Sequence, residues 1–307
     1  MGKENIVLYD WLSFTDKEMS PDEAASLLGL SHVPWSDTRG AHGYQSRKYY
    51  NGISIHYNGR DDMGLWVEMS GQGCRCFESY SDLEWSQLFS RIVQRNCNVT
   101  RLDVAFDDHT GLLDIKQVVK DTQDGNWVSR SNYWETILSS KGSTVQIGSP
   151  QSKVLVRIYD KAAERNCPAG EHWVRVELQL RDDRASRFMM LEDLTIGEAF
   201  SGVLLNYLRY VVPDPGDDNR WRWDMTDYWI NLLEILTPIS IFSRPGVEYN
   251  LQRCESYVFD QAGNAIDCYI KCVGINEFLR KLHSREVASN PKYDQLVKMY
   301  RFAKTIV

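Results

Sequence analysis

The chain has 307 residues, 43% hydrophobic and 25% charged, enough to build a substantial core. No window approaches eighteen uninterrupted apolar residues, which excludes a transmembrane helix, and the opening Met-Gly-Lys-Glu-Asn does not read as a secretory signal or a myristoylation site. A formal charge of −7 and a sequence pI of about 5.5 exclude a non-specific coat for nucleic acid but leave room for local basic patches. Seven cysteines, an odd and scattered set, point to free thiols in a reducing, cytoplasmic setting. The spacings Cys74-x-Cys76 and Cys268-x3-Cys272 fall short of a zinc site, which needs two knuckles or paired histidines.

In chain order, residues 6–14 form an apolar run that reads as a strand. Ser20, Pro21 and Glu23 give a helix start over 20–28, with Ser20 as N-cap. Residues 52–57 and 65–69 alternate as strands, separated by turns at Asn58-Gly59 and Gly71-Gln72-Gly73. A helix is predicted over 81–93, where Leu83, Leu88, Phe89 and Ile92 share a face. The central segments 100–107, 154–160 and 173–181 each alternate between apolar and polar positions. Helices are expected over 113–122, 183–192 and 196–210. Residues 213–219, rich in Pro, Asp and Gly, read as a linker, and the region beyond as mostly helical, over 226–236 and 277–285. From Glu277 onward seven Lys or Arg face three Asp or Glu, a basic tail that could contact DNA or simply be a solvated helix.

Strand periodicity places Leu102, Val104 and Phe106 on one face and Arg101, Asp103, Ala105 and Asp107 on the other. It likewise opposes Val154, Val156 and Ile158 to Leu155, Arg157 and Tyr159. In the third strand Val174, Val176, Leu178 and Leu180 oppose Trp173, Arg175, Glu177, Gln179 and Arg181. Were these strands neighbours, one surface would gather Asp103, Asp107, Glu177, Arg157, Arg175 and Tyr159. Such a set could bind a divalent cation, clamp a phosphate and supply a phenol nucleophile. The same alternation also describes any half-exposed sheet decorated by Arg–Glu cross-strand pairs.

Four strings decide between these readings: Arg101-Leu-Asp-Val-Ala-Phe-Asp-Asp108, Gln146-Ile-Gly-Ser149 with Ser152, Arg157-Ile-Tyr-Asp-Lys-Ala-Ala-Glu164, and Val174-Arg-Val-Glu-Leu178. In this order they resemble the replication initiation factor (Rep_trans) family of rolling-circle plasmid initiators, filamentous-phage replication proteins and relaxases of conjugative elements. Tyr9-Asp-Trp-Leu-Ser-Phe-Thr15 and Gly71-Gln-Gly-Cys-Arg75 also fit the family's early strands. The resemblance runs from about residue 6 to 210, and several ordered motifs make it specific.

The resemblance implies an α+β fold: a central, mainly antiparallel sheet with flanking helices, a relaxase-like nucleotidyltransferase core without a His-x-His motif. It implies a nicking and joining domain over 1–212, leaving 213–307 as a mainly helical region for DNA recognition or dimerisation. The implied activity is a rolling-circle initiator that nicks one origin strand through a tyrosine. That leaves a 5′-phosphotyrosyl intermediate and a free 3′-OH primer, and the strand is later rejoined. A conjugative relaxase, or a DNA-binding regulator that does not nick, are the alternatives. Tyr159 is the implied nucleophile, with Tyr133 as rival. Asp103, Glu177 and Asp107 are the implied ligands of Mg²⁺ or Mn²⁺. Lys161, Arg157 and Arg175 would contact the scissile phosphate or its developing charge. Implied partners are origin DNA, both double-stranded and extruded single-stranded, a host helicase and polymerase, and a second copy of the chain, with no membrane. One departure stands out: Val145 and Gln146 occupy the place where relatives carry a second tyrosine before Ile-Gly-Ser.

Overall fold

The computed structural model describes residues 4–191, 194–236, 258–259 and 262–284. The sheet begins with an eleven-residue strand, β1 (Ile6–Asp16), followed by helix α1 (Pro21–Leu27). The start of α1 follows from its sequence: the Glu23 amide donates to Ser20 Oγ at 3.3 Å, and the Ser20 amide donates to Glu23 Oε2 at 2.8 Å. Strands β2 (Ser36–Arg39), β3 (Ser46–Tyr50), β4 (Ile53–Tyr57) and β5 (Leu65–Met69) then form a meander, closed by helices α2 (Gly71–Tyr80) and α3 (Trp85–Gln94). The chain re-enters the sheet as β6 (Asn98–Asp108), α4 (Ile115–Gln123), β7 (Trp127–Ser129), β8 (Trp134–Ser139), β9 (Gly142–Ile147) and β10 (Val154–Asp160). There follow α5 (Lys161–Glu164), β11 (Val174–Arg181), α6 (Asp183–Met189), α7 (Ile196–Tyr207), β12 (Leu208–Tyr210) and α8 (Asp227–Leu236). Helices α9 (Gly263–Val273) and α10 (Ile275–His283) come last.

Ten strands form one sheet in the order β2-β3-β4-β5-β1-β6-β11-β10-β9-β8, and every pairing is antiparallel. The order contains a duplication. A strand, a helix, four strands and a helix (β1, α1, β2–β5, α2) recur as β6, α4, β8–β11, α6. From the central β1–β6 pair outward, each half reads first strand, fifth, fourth, third, second. Because β1 and β6 are antiparallel, the halves are related by an approximate two-fold axis through that pair.

Helices pack against the apolar face, where Leu12, Phe14, Ile53, Ile55, Val67, Leu102, Val104, Val156, Ile158, Val176 and Leu178 are fully buried. Helix α8 adds Trp229, Leu232 and Leu233 to this core, and the Trp229 indole donates to the Leu208 carbonyl at 3.2 Å.

Two local expectations are corrected. Gly71-Gln72-Gly73 is the first turn of α2, not a loop: Ser70 caps it, and a Cβ on Gly73 would lie 2.4 Å from the Gly52 carbonyl oxygen, so this glycine serves close packing. Gly71-Gln-Gly-Cys-Arg75 is accordingly helical and not part of an early strand. The helix expected to reach residue 210 ends at Tyr207, because Leu208–Tyr210 turns extended and pairs with β7. Of the basic tail, Arg280 and Lys281 lie in α10, while Arg285, Lys292, Lys298, Arg301 and Lys304 fall outside the described residues.

Candidate active site

Register brings the polar residues of β6, β11 and β10 side by side. Asp103 stands opposite Gln179, Asp107 opposite Arg175, Glu177 opposite Arg157, and Arg175 opposite Tyr159. The three central strands are therefore immediate neighbours, and all the sequence-predicted residues except Lys161 lie on one face. Lys161 opens α5 directly after β10, and its ammonium reaches back to Tyr159 Oη at 3.3 Å.

Tyr159 Oη donates to Glu177 Oε2 at 3.0 Å and accepts from Lys161 Nζ. Arg157 also donates to Glu177, through Oε1. Burial, then the Glu177 charge, hold the phenol well above its usual range. Burial also works against the Glu177 charge, but Arg157, the Tyr159 hydroxyl and Arg175 outweigh it and keep this carboxyl below its ordinary value. The resting pair is thus a neutral phenol against a carboxylate. Lys161, 5% exposed in its side chain, also pairs with Glu164 at 2.6 Å.

Arg175 is the most heavily engaged cation. Its Nε and Nη2 donate to the two oxygens of Asp107 at 2.6 and 2.7 Å, and its Nη1 donates to Asp10 Oδ2 at 2.6 Å. Bidentate geometry on one carboxylate and a third bond to a second one spend the guanidinium on fixing β1, β6 and β11 together. Arg101 engages Asp103 at 2.8 Å through Nε and stacks on Trp11 with its carbon 4.4 Å from the ring centroid. Burial, with Glu177 adding repulsion, pushes Asp103 up to about 7.

Asp10 was not singled out by the sequence, although it lies in the quoted Tyr9-Asp10-Trp11 string. A register shift between Tyr9 and Trp11 on β1 accompanies its approach to Arg175. Gly71 makes room: a Cβ there would meet Asp10 Oδ1 at 2.6 Å. Asp160 caps α5, its Oδ1 accepting from the Ala163 amide at 2.8 Å. Tyr133 is exposed, with its hydroxyl 3.4 Å from Glu135 and no contact to this cluster among the described residues. Where relatives carry a second tyrosine, Val145 is in the core and Gln146 faces Arg157 across β9 and β10. The neighbouring Gly148 (φ 105°) has a packing reason: a Cβ would meet Tyr207 Oη at 2.7 Å, where that hydroxyl donates to the Val154 carbonyl.

Carboxylates are the hard oxygen donors that Mg²⁺ or Mn²⁺ prefers, and the closeness of Asp103 and Glu177 is a repulsion a cation would relieve. In donor chemistry the residues suit such an ion. In placement, each of Asp103, Asp107 and Glu177 is engaged by an arginine, and among the described residues no three His, Cys, Asp or Glu side chains gather as a ligand set.

A ten-stranded antiparallel sheet with helices packed on its apolar face, and a buried tyrosine–acid–lysine constellation on the other, defines an α+β protein of the rolling-circle initiator fold. The solved structure of a rolling circle replication initiator protein from Geobacillus stearothermophilus superposes with a TM-score of 0.71 at 32% identity, covering 79% of this chain and all of that one. The model of the replication initiation factor family matches residues 97–282, and that of the rolling circle replication initiation protein N-terminal domain matches 6–91. The chain belongs to the replication initiation factor family. A curated relative, "Putative DNA relaxase NicK" of Bacillus subtilis (strain 168), is 29% identical over 231 residues, which span 68% of this chain and 65% of the relative. The two family models meet near the boundary of the duplicated halves. Among the described residues no helix is long and apolar enough to cross a membrane.

Proposed function

We propose that this protein nicks one strand of origin DNA and later rejoins it, with Tyr159 as nucleophile. The observation that carries this reading is the position of Tyr159 Oη between the Glu177 carboxylate and the Lys161 ammonium. An isolated phenol is a poor nucleophile at neutral pH, and burial makes its ionisation harder still. The attack therefore has to be concerted with proton loss. Glu177 takes the phenol proton as the Oη–P bond forms, and Lys161 faces the oxygen as its negative charge grows. The P–O3′ bond breaks, the 3′ oxygen takes up a proton from solvent, and the 5′ phosphate stays on the tyrosine. Rejoining is the reverse.

Arg157, one third exposed, is the cation best placed to leave Glu177 for a phosphate oxygen. Asp103 and Glu177, with Asp107 or Asp10 beside them, would hold Mg²⁺ or Mn²⁺ once their arginine partners shift. The ion would supply positive charge to the phosphate. Origin DNA, a host helicase and polymerase, and a second copy of the chain are the proposed partners, in the cytoplasm. The match to a protein named as a DNA relaxase favours, as second reading, the same chemistry at an origin of transfer.

The test uses a supercoiled plasmid carrying the DNA flanking the gene. Wild type with Mg²⁺ or Mn²⁺ should yield open circles and a denaturant-resistant protein–DNA adduct, both lost with EDTA. Binding without nicking or adduct would establish the regulator alternative instead.

A further inference from the structure

The duplication gives the central residues of the catalytic half counterparts in the other half. Tyr159 is the penultimate residue of β10, and His56 is the penultimate residue of β4. Arg175 is the second residue of β11, and Trp66 is the second residue of β5. Tyr159 faces Arg175 in register, just as His56 faces Trp66. Glu68 likewise corresponds to Glu177, two residues further on. The N-terminal half thus carries an aromatic cluster where the C-terminal half carries ions.

His56 lies on Trp66 with centroids 4.8 Å apart and planes at 20°, and Tyr44 closes on both. His42 meets Trp66 edge-on at 5.3 Å. Its backbone is held at φ 53°, a conformation that non-glycine residues rarely adopt, and this poises an exposed imidazole over a half-exposed indole. His56 is 2% exposed, and its Nδ1 has no hydrogen-bond partner among the described residues. Arg47 faces His56 across β3 and β4. The cluster is continuous with the candidate active site, because Ser13 and Thr15 of β1 link Glu68 and Trp66 to Arg101 and Asn98 of β6.

We propose that His42 and Trp66, backed by the buried His56, form a stacking subsite for an unpaired base of the same DNA strand that is cut at Tyr159. This rests on the nicking reading above. Aromatic faces accept any base; the cationic Arg101 on β6 lies between the platform and the tyrosine, where it suits an intervening phosphate, and Arg47 on β3 lies beyond the platform, where it suits the phosphate of the stacked nucleotide. Trp66 is level with Thr15 on β1, while Arg175 is level, through Asp107, with Ile6. Nine residues along the strand and four strand steps across, from β5 to β10, put the subsite about 35 Å from the tyrosine. At the ~3.4 Å spacing of stacked nucleotides this is about ten nucleotides. The arrangement holds the displaced strand diagonally across the sheet, one end at the scissile phosphate and the other on the aromatic platform.

The experiment measures fluorescence anisotropy of fluorescein-labelled dT20 with the full chain in a Tyr159→Phe background, so that no cleavage intervenes. Trp66→Ala should weaken binding about tenfold and His42→Ala severalfold, with Trp66→Phe close to the parent. Unlabelled dT20 should compete far better than a duplex of the same length. The inference is overturned if the parent does not bind dT20, if the duplex competes equally, or if folded Trp66→Ala binds within twofold of the parent. Should Trp66→Ala fail to fold, exposed His42→Ala decides: binding equal to the parent overturns the inference. The nicking reading stands or falls separately, on the covalent adduct.

Discussion

In the C-terminal half of the sheet, Tyr159 and Arg175 face each other across β10 and β11 amid four carboxylates. In the N-terminal half, His56 and Trp66 occupy the corresponding positions amid aromatic rings. One strand order supports both, so the scaffold does not dictate the chemistry; the residues on its open face do. The difference also sets what each half requires. Buried charges have to be matched by opposite charge, and in the C-terminal half Arg101 with Asp103, Arg157 with Glu177 and Arg175 with both Asp107 and Asp10 satisfy that condition. Stacked rings need only contact; among the described residues one buried nitrogen of His56 goes unpaired there, as do Arg157 Nε and Gln179 Nε2 in the other half.

The comparison breaks most decisively at the phenol. Tyr159→Phe removes only the attacking oxygen and should abolish nicking and adduct formation while leaving DNA binding intact. Normal nicking by this variant would reassign the nucleophile. Glu177→Gln keeps the shape beside Tyr159 but cannot take its proton, and nicking should fall by about 10²–10⁴-fold. A plasmid-relaxation time course at wild-type rate would remove Glu177 from the proton path.

Arg175→Met should cost about 3–5 kcal/mol by leaving Asp107 and Asp10 without their cation, whereas its counterpart Trp66→Phe should cost less than about 1.5 kcal/mol. Denaturant unfolding of the two variants compares the halves directly; equal losses would contradict the contrast drawn between them.

The smallest net effect is in pH, because two buried groups act in opposite directions. Burial, with help from Arg47 and His42, lowers His56 from 6.5 to about 4. Between these values the unfolded chain binds more protons, so this group makes stability rise with pH. Asp103 is raised from 3.8 to about 7, so between these values the folded chain binds more protons and stability falls as pH rises. His56→Phe should remove the rising contribution and Asp103→Asn the falling one, read from melting temperatures between pH 4.5 and 7.5. Unchanged profiles would mean that neither group titrates as its burial implies.

Local sequence determined much of this protein. Alternation in 100–107, 154–160 and 173–181 fixed which side chains face the helices, because a strand has period two. Ser20 with Glu23 fixed the start of α1. The ordered strings around Asp103, Tyr159 and Glu177 carried the family. Tertiary structure decided the rest. Periodicity put Asp103 and Glu177 on a face it would leave half-solvated, yet both are almost fully buried, because strand order stacks the long arginine side chains of neighbouring strands around them. Asp10 joined the site through a bulge and a distant glycine, neither of which a linear pattern encodes. The duplication is equally invisible in the chain, since the two halves share pairing order and not residues. Contacts between strands far apart in sequence are set by register, and register is a property of the whole sheet.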